Sequence, residues 1–194
     1  MLCAACTRVL RPAPNAPPPP GVDWWTSCFA YEGVAREVVA RAKYRNERAA
    51  LKPLGRLLAE RIPLDVDVVT WAPASASRYA HAGVDHAAVL AREVARHLGV
   101  PARGLLTRAS DAPQTGKDAA TRRRGPSIRV TRRPGVGRVL VVDDVATTGG
   151  TLTAIARALR TCGVSHVFAA TIARTPRPGE RNVNAAYTPS NTPG

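Results

Sequence analysis

Apolar side chains recur at helical spacing early in the chain, first as Val34, Val38 and Ala42 and then as Leu51, Leu54, Leu58 and Ile62. Residues three and four apart share one face of a helix, so the spacing predicts two amphipathic helices broken near Arg45 and Asn46. Pro53 fits the first turn of the second, where a missing N–H costs nothing. The period then changes. Asp67 to Trp71 carries the β-branched run Val68, Val69, Thr70 and stops at Ala72-Pro73, as a buried strand entering a loop does. Ala87, Leu90, Ala91, Val94, Ala95 and Leu98 again line one helical face, and Gly99 stands where a helix end favours glycine. Val139, Leu140, Val141 and Val142 are four successive apolar residues, which suits a strand covered on both faces. Leu152, Ile155, Ala156 and Leu159 mark another helix ending at Gly163, and residues 164–172 read as the next strand. Strands alternating with helices predict an α/β fold with a mostly parallel central sheet flanked by helices, in which ligands bind beyond the carboxyl ends of the strands.

The ends of the chain lack this periodicity. Residues 11–23 hold Pro12, Pro14 and four successive prolines at 17–20, so they read as a stiff extended linker. From Thr175 to the end, Pro, Asn and Thr accumulate without apolar spacing, which predicts a poorly ordered tail over 175–194. Residues 24–174 are left as the main domain, with a short separate piece at 1–10. Within 194 residues, 45% of them hydrophobic, one sizeable core is the expectation.

Charge adds a partner class. Lys and Arg outnumber Asp and Glu by 28 to 14, a net +14, which favours an anionic partner such as a nucleotide phosphate or nucleic acid. No apolar run reaches the length of a membrane helix, and no secretory leader is recognisable, so a cytoplasmic location without membrane insertion is expected. The four cysteines, Cys3, Cys6, Cys28 and Cys162, are not spaced as a disulfide framework. Cys3 and Cys6 have the spacing of one zinc knuckle, which is half of a tetrahedral site; zinc would bind only if that site were completed. Cys28 and Cys162 read as buried core side chains, and the four histidines form no ligand spacing.

The most informative segment is 139–151. An apolar strand delivers Asp143 and Asp144 to its carboxyl edge, and the sequence Val145-Ala146-Thr147-Thr148-Gly149-Gly150-Thr151 follows. The two glycines let the backbone turn tightly and approach a ligand, the threonines offer hydroxyls, and the start of the next helix offers N–H groups to a phosphate. Two carboxylates beside a phosphate site would repel it, but they suit the hydroxyls of a ribose and a water-bridged magnesium ion.

These thirteen positions resemble the phosphoribosyl-pyrophosphate motif of type I phosphoribosyltransferases. The resemblance extends to the ComF family of competence-related proteins with that fold, through Tyr31-Glu32-Gly33-Val34-Ala35-Arg36-Glu37, Lys43-Tyr44-Arg45-Asn46 and the segment 54–61, and covers about three quarters of the chain. It implies a phosphoribosyl-pyrophosphate site with Mg2+, in which Asp143 and Asp144 are the catalytic acids and Val145, Ala146, Thr147, Thr148, Gly149, Gly150 and Thr151 hold the 5′-phosphate. It implies that Ala74, Ser75 and Arg78 belong to the pyrophosphate loop, and that Lys117 lies in a flexible loop closing over the substrate. Arg122, Arg123 and Arg124 fall in the same loop, where a basic run could neutralise a diphosphate or track a nucleic-acid backbone. The family's usual Arg-Gly-Phe-Asn-Gln stretch is replaced here by Ala82-Gly83-Val84-Asp85-His86. ComF-like proteins often begin with a two-knuckle zinc ribbon, so residues 1–10 look like a remnant of it with the first pair missing, as a start assigned too far downstream would explain.

Two functions follow from the resemblance. One is a phosphoribosyltransferase acting on an unidentified acceptor. The other is a protein handling single-stranded DNA in uptake or recombination, with competence or recombination proteins as partners and a sensory or vestigial nucleotide site. A transcriptional regulator of the same fold is a third, although no helix-turn-helix is recognisable.

Overall fold

A computed structural model describes residues 10–44, 48–74, 85–108, 126–177 and 180, with backbone alone for 41–44 and 48–50. Six strands and four helices alternate among these residues: β1 (Trp24–Ala30), α1 (Gly33–Tyr44), α2 (Arg48–Ala59), β2 (Val68–Trp71), α3 (His86–Leu98), β3 (Leu106–Arg108), β4 (Ile128–Val130), β5 (Arg138–Ala146), α4 (Gly150–Arg160) and β6 (His166–Arg174). Four strands form one sheet in the order β1-β6-β5-β2, every neighbouring pair parallel. The expected α/β architecture is present, with helices on both faces of the sheet.

Side-chain alternation divides the core into two layers. Leu140, Val142, Ala170 and Ile172 face Leu51, Leu54, Leu58, Leu90 and Val94 from α2 and α3. Val139, Val141, Val167 and Ala169 face Leu152, Ile155, Ala156 and Leu159 from α4. The central strands are thus apolar on both sides, as a parallel sheet between helical layers requires. α3 follows β2 on one face and leads outward to Ala102, which bridges β2 at its outer edge, whereas α4 follows β5 on the other face and leads to β6 on the opposite side. The chain therefore diverges between β2 and β5, and a crevice opens there at the carboxyl ends of the strands.

Some local expectations need correction. Pro53 lies inside α2, as its sixth residue, and its ring faces solvent. The apolar period locates the buried face of a helix but not its first turn. β1 and the antiparallel pair β3-β4 were not expected; Trp24-Trp25-Thr26-Ser27-Cys28-Phe29-Ala30 is rich in strand formers, which is the signal that marks β1.

The Pro-rich stretch is extended, as proline dictates, but it packs against the domain. Pro12 bridges Phe29 in antiparallel sense, Ala13 N–H donates to the Cys28 carbonyl at 3.1 Å, and Ala30 N–H donates to the Arg11 carbonyl at 2.9 Å. This covers the free edge of β1. Further along, Val22 enters the core against α4, and the Asp23 carboxylate accepts two 2.6 Å bonds from the Arg160 guanidinium.

Candidate functional site

β5 is longer than its apolar run predicts. Trp71 of β2 pairs with Val142, and Ala72 N–H closes that ladder on the Val142 carbonyl at 3.0 Å. β5 then continues for four residues paired with β6 alone, Asp143 opposite Thr171 and Ala146 opposite Arg174. Asp143 and Asp144 stand in this overhang, inside the strand and at the crevice rather than in the loop after it. They point to opposite faces. Asp144 lines a small cavity with Val39, Leu51, Leu54, His86, Leu90 and Ile172, on the α2/α3 side. Asp143, one residue earlier, is on the α4 side by strand alternation, and its Oδ1 accepts the Asp144 N–H at 2.8 Å.

The turn after β5 is on the same side as Asp143. Gly149 has φ of +77°, a left-handed conformation that disfavours any side chain, and it supplies no capping oxygen to α4. Thr148 Oγ1 accepts the Gly150 N–H at 3.3 Å, while Thr147 and Thr148 are exposed and Gly150 and Thr151 half-buried. The amino end of α4, with its partial positive charge, thereby opens between two threonine side chains. Gly149 is itself buried, because Pro19 covers it: a Cβ placed there would lie 3.0 Å from Pro19 Cγ. The Pro-rich stretch therefore borders the turn, which its composition alone does not indicate.

Across the crevice, Asp85 caps α3, its Oδ1 accepting the Ala88 N–H at 3.2 Å, and it also takes a hydrogen bond from Trp71. Burial pushes its carboxyl above the usual range, against those hydrogen bonds, and the charge of Asp144 pushes it further the same way. An aspartate directly before an apolar helix period is a capping signal, so this residue was findable in the sequence. Ala74 is half-buried at the start of the loop after β2, and Arg108 Nε ties that loop down by donating to the Pro73 carbonyl at 3.0 Å.

Ser75, Arg78, Lys117, Arg122, Arg123, Arg124, Cys3 and Cys6 lie outside the described residues. Arg138 is at the far end of β5 from the acids, where Asp67 accepts its guanidinium at 2.8 Å and its backbone N–H at 2.8 Å. Cys28 is fully buried, and burial pushes its thiol up to about 12. Cys162 is half-buried at the end of α4 rather than enclosed. Among the described residues, no group of three or more His, Cys, Asp or Glu side chains is arranged to hold a metal ion by itself, and no helix is long and apolar enough to cross a membrane.

Residues 83–191, more than half of the chain, match the family model of the phosphoribosyl transferase domain. No curated protein matches the chain in sequence. Among solved structures it is similar to a glutamine phosphoribosylpyrophosphate amidotransferase from B. subtilis complexed with ADP and GMP, at 27% identity and a TM-score of 0.48, over 64% of this chain and 26% of that one. It is also similar to the adenine phosphoribosyltransferase of Thermoanaerobacter pseudethanolicus, at 16% identity, a TM-score of 0.45 and coverage of 68% and 83%. A third is the enzyme of that kind from Giardia lamblia complexed with 9-deazaadenine, at 20% identity, a TM-score of 0.46 and coverage of 90% and 86%. The chain thus spans about a quarter of the amidotransferase's length.

Proposed function

The chain belongs to the phosphoribosyl transferase domain family, and from that premise we propose that it binds phosphoribosyl pyrophosphate at the carboxyl end of β5 and transfers the phosphoribosyl group to an acceptor. The observation that carries this reading is the juxtaposition of the two acids in the β5 overhang with the glycine turn that opens the amino end of α4. In this reading the N–H groups at the start of α4, with Thr147, Thr148 and Thr151, hold the 5′-phosphate. Asp143 and Asp144 accept the ribose hydroxyls.

Magnesium suits the oxygen donors at this edge, since Asp143 and Asp144 follow one another in the β5 overhang and a hard cation takes carboxylate and water ligands. When bound with the substrate, the ion would neutralise charge on the departing diphosphate. Asp143 and Asp144 would meet it through water. The chain's own part in the reaction is positional and electrostatic: it fixes the sugar between turn and acids, so that positive charge developing on the ring lies beside a carboxylate. Loop residues Ala74, Ser75 and Arg78, with Lys117, complete the diphosphate contacts in this reading, Arg78 by paired guanidinium donors.

Isothermal titration with phosphoribosyl pyrophosphate and Mg2+ tests the site. Wild type should bind, and Asp143→Asn/Asp144→Asn should lose at least about tenfold in affinity, the scale of a lost charged hydrogen bond. Equal binding by both proteins overturns the assignment.

The resemblance to the ComF family suggests a second reading, in which the same fold contacts single-stranded DNA. The observation favouring it is the surplus of 14 positive charges, of which Arg103, Arg129, Arg132 and Arg133 are exposed on and beside β3 and β4. Arg122, Arg123 and Arg124 belong to the same basic stretch. Affinity for single-stranded DNA should fall steeply with salt and lose slope when those three are changed to alanine; a flat salt response excludes phosphate contacts.

A further inference from the structure

The Pro-rich stretch ends in a turn whose shape its residues impose. Val22 N–H donates to the Pro19 carbonyl at 3.0 Å, and Gly21, between them, has φ of +83°. A proline at position 20 fixes its own φ at about −65°. Pro19-Pro20-Gly21-Val22 is therefore a type II turn, with proline and glycine at the two central positions that favour them. The turn and the residue after it lie along α4 and touch it at three levels. Pro19 stands over Gly149, just before the helix; a Cβ at Gly21 would lie 3.3 Å from Ala156 Cβ, midway along it; and Asp23 holds Arg160, its last residue. Val22 is buried in the layer that α4 shares with the sheet. On the other side of Pro19 the chain is tied again, because the Arg174 guanidinium donates to the Pro14 carbonyl at 3.0 Å. Pro19 is thus fixed relative to the amino end of α4.

Gly149 is where such a brace matters. A glycine takes positive and negative φ about equally, and here a second glycine follows it, so the turn before α4 has little rigidity of its own. From inside, Thr153 fixes the Gly149 carbonyl, donating its N–H at 2.9 Å and its Oγ1 at 3.1 Å. From outside, a Cβ at Gly149 would meet Pro19 Cγ at 3.0 Å and Pro19 Cβ at 3.2 Å. Among the described residues, and apart from its own chain neighbours, only Pro19 comes within 4 Å of that position.

We propose that Pro19 is a positioning residue for the phosphate turn: seated on Gly149 and fixed by its own type II turn, it holds the backbone before α4 in one conformation before a ligand arrives. The inference rests on the sugar-phosphate reading above for its purpose, and on the packing along α4 for its geometry. A site ordered in advance binds more tightly, because binding need not offset the entropy of ordering it.

Two variants test it. Pro19→Gly removes the cover, whereas Pro20→Ala, at the exposed neighbour, removes a proline without uncovering Gly149. Titrated with phosphoribosyl pyrophosphate and Mg2+, Pro19→Gly should bind about fivefold more weakly than wild type, the scale of ordering one residue's backbone. Pro20→Ala should bind within about twofold of wild type. Titrated with pyrophosphate and Mg2+, which bring no 5′-phosphate to the turn, Pro19→Gly should match wild type. That contrast between ligands separates positioning from a general loss of stability. Hydrogen exchange without ligand reads the turn itself: the Thr153 N–H, bound to Gly149, should exchange faster in Pro19→Gly by more than the loss of global stability explains. In thermal unfolding, Pro19→Gly and Gly149→Ala should be non-additive, the double variant losing less than the sum, because the first makes room for the methyl of the second. Equal affinity of Pro19→Gly and wild type for phosphoribosyl pyrophosphate, or an equal loss for both ligands, overturns the positioning role. Failure of wild type to bind phosphoribosyl pyrophosphate overturns the sugar-phosphate reading, and exchange at Thr153 still decides whether Pro19 holds the turn.

Discussion

At the scale of single residues, burial and backbone conformation decide what can be changed. The Cys28 thiol is pushed up to about 12 from 9.0 by burial, so between these values the folded protein keeps a proton that the unfolded chain has released. Stability must then fall as pH rises through this window, by roughly 1.4 kcal/mol per pH unit. Denaturant unfolding of wild type and Cys28→Ala from pH 8 to 11 should show a steeper alkaline decline in wild type, and parallel curves would exclude the effect. The same burial keeps Cys28 from a thiol reagent in the native state, whereas half-buried Cys162 should react. Gly149 is constrained differently. Its left-handed φ of +77° costs an alanine about 1–2 kcal/mol, and the added Cβ would press on Pro19 Cγ at 3.0 Å. Gly149→Ala should lower the melting temperature and abolish phosphoribosyl pyrophosphate binding, since the turn can relax only by moving its N–H groups. Retained affinity in a titration would show that the turn does not hold the phosphate.

At the scale of elements, helix packing turns on one glycine that the apolar pattern did not single out. A Cβ at Gly55 of α2 would lie 2.7 Å from Glu93 Cβ of α3, so the two helices approach at the distance glycine sets. Alanine is the better helix former by about 1 kcal/mol, but overpacking costs about 1–3 kcal/mol, and Glu93 Cβ is too near its backbone to move aside. Gly55→Ala should therefore destabilise on balance, as a lower denaturation midpoint; a gain would mean that α2 shifts freely on α3. Helix faces and buried strands were legible in the sequence because burial imposes periods of 3.6 and 2 on the residues themselves. Asp143 and Asp144 were legible as a pair for the same reason, as an abrupt end to an apolar run. Their opposite orientations were not, because those depend on β5 outrunning β2, a fact of pairing between distant segments. Nor was the seat of Pro19 on Gly149 legible, since it joins residues that meet only through the packing of distant segments. The short β3 and β4 escaped notice because three-residue strands are too brief to show alternation.

At the scale of the whole molecule, the Pro-rich stretch is joined to the site through Arg174. This residue ends β6 and is 3% exposed, its guanidinium donating to the Pro14 carbonyl and, at 2.7 Å, to Glu180, while lying over the Trp25 ring at 5.7 Å. One buried cation thus ties the segment before β1, the segment after β6 and β1 itself. The segment before β1 goes on to place Pro19 against Gly149 at the amino end of α4. Loosening it at Pro14 should therefore reach the phosphate turn. Removing this buried guanidinium takes away its bonds to the Pro14 carbonyl and Glu180, and Arg174→Ala should lower global stability by about 1–3 kcal/mol. Hydrogen exchange separates this loss from a local release. Ala13 and Ala30, whose N–H groups join the Pro-rich stretch to β1, should exchange far faster in the variant, by more than the global loss explains. Val141 and Val142 in the centre of the sheet should follow the global loss alone. With the stretch detached, Gly149 loses its cover and affinity for phosphoribosyl pyrophosphate should fall several-fold, while Arg160→Ala, which takes the guanidinium from Asp23 but leaves its bond to the Val167 N–H and leaves Pro14 tied, should change it less. Equal protection of Ala13 and Ala30 in variant and wild type, once corrected for global stability, would show that Arg174 braces the domain without governing the turn.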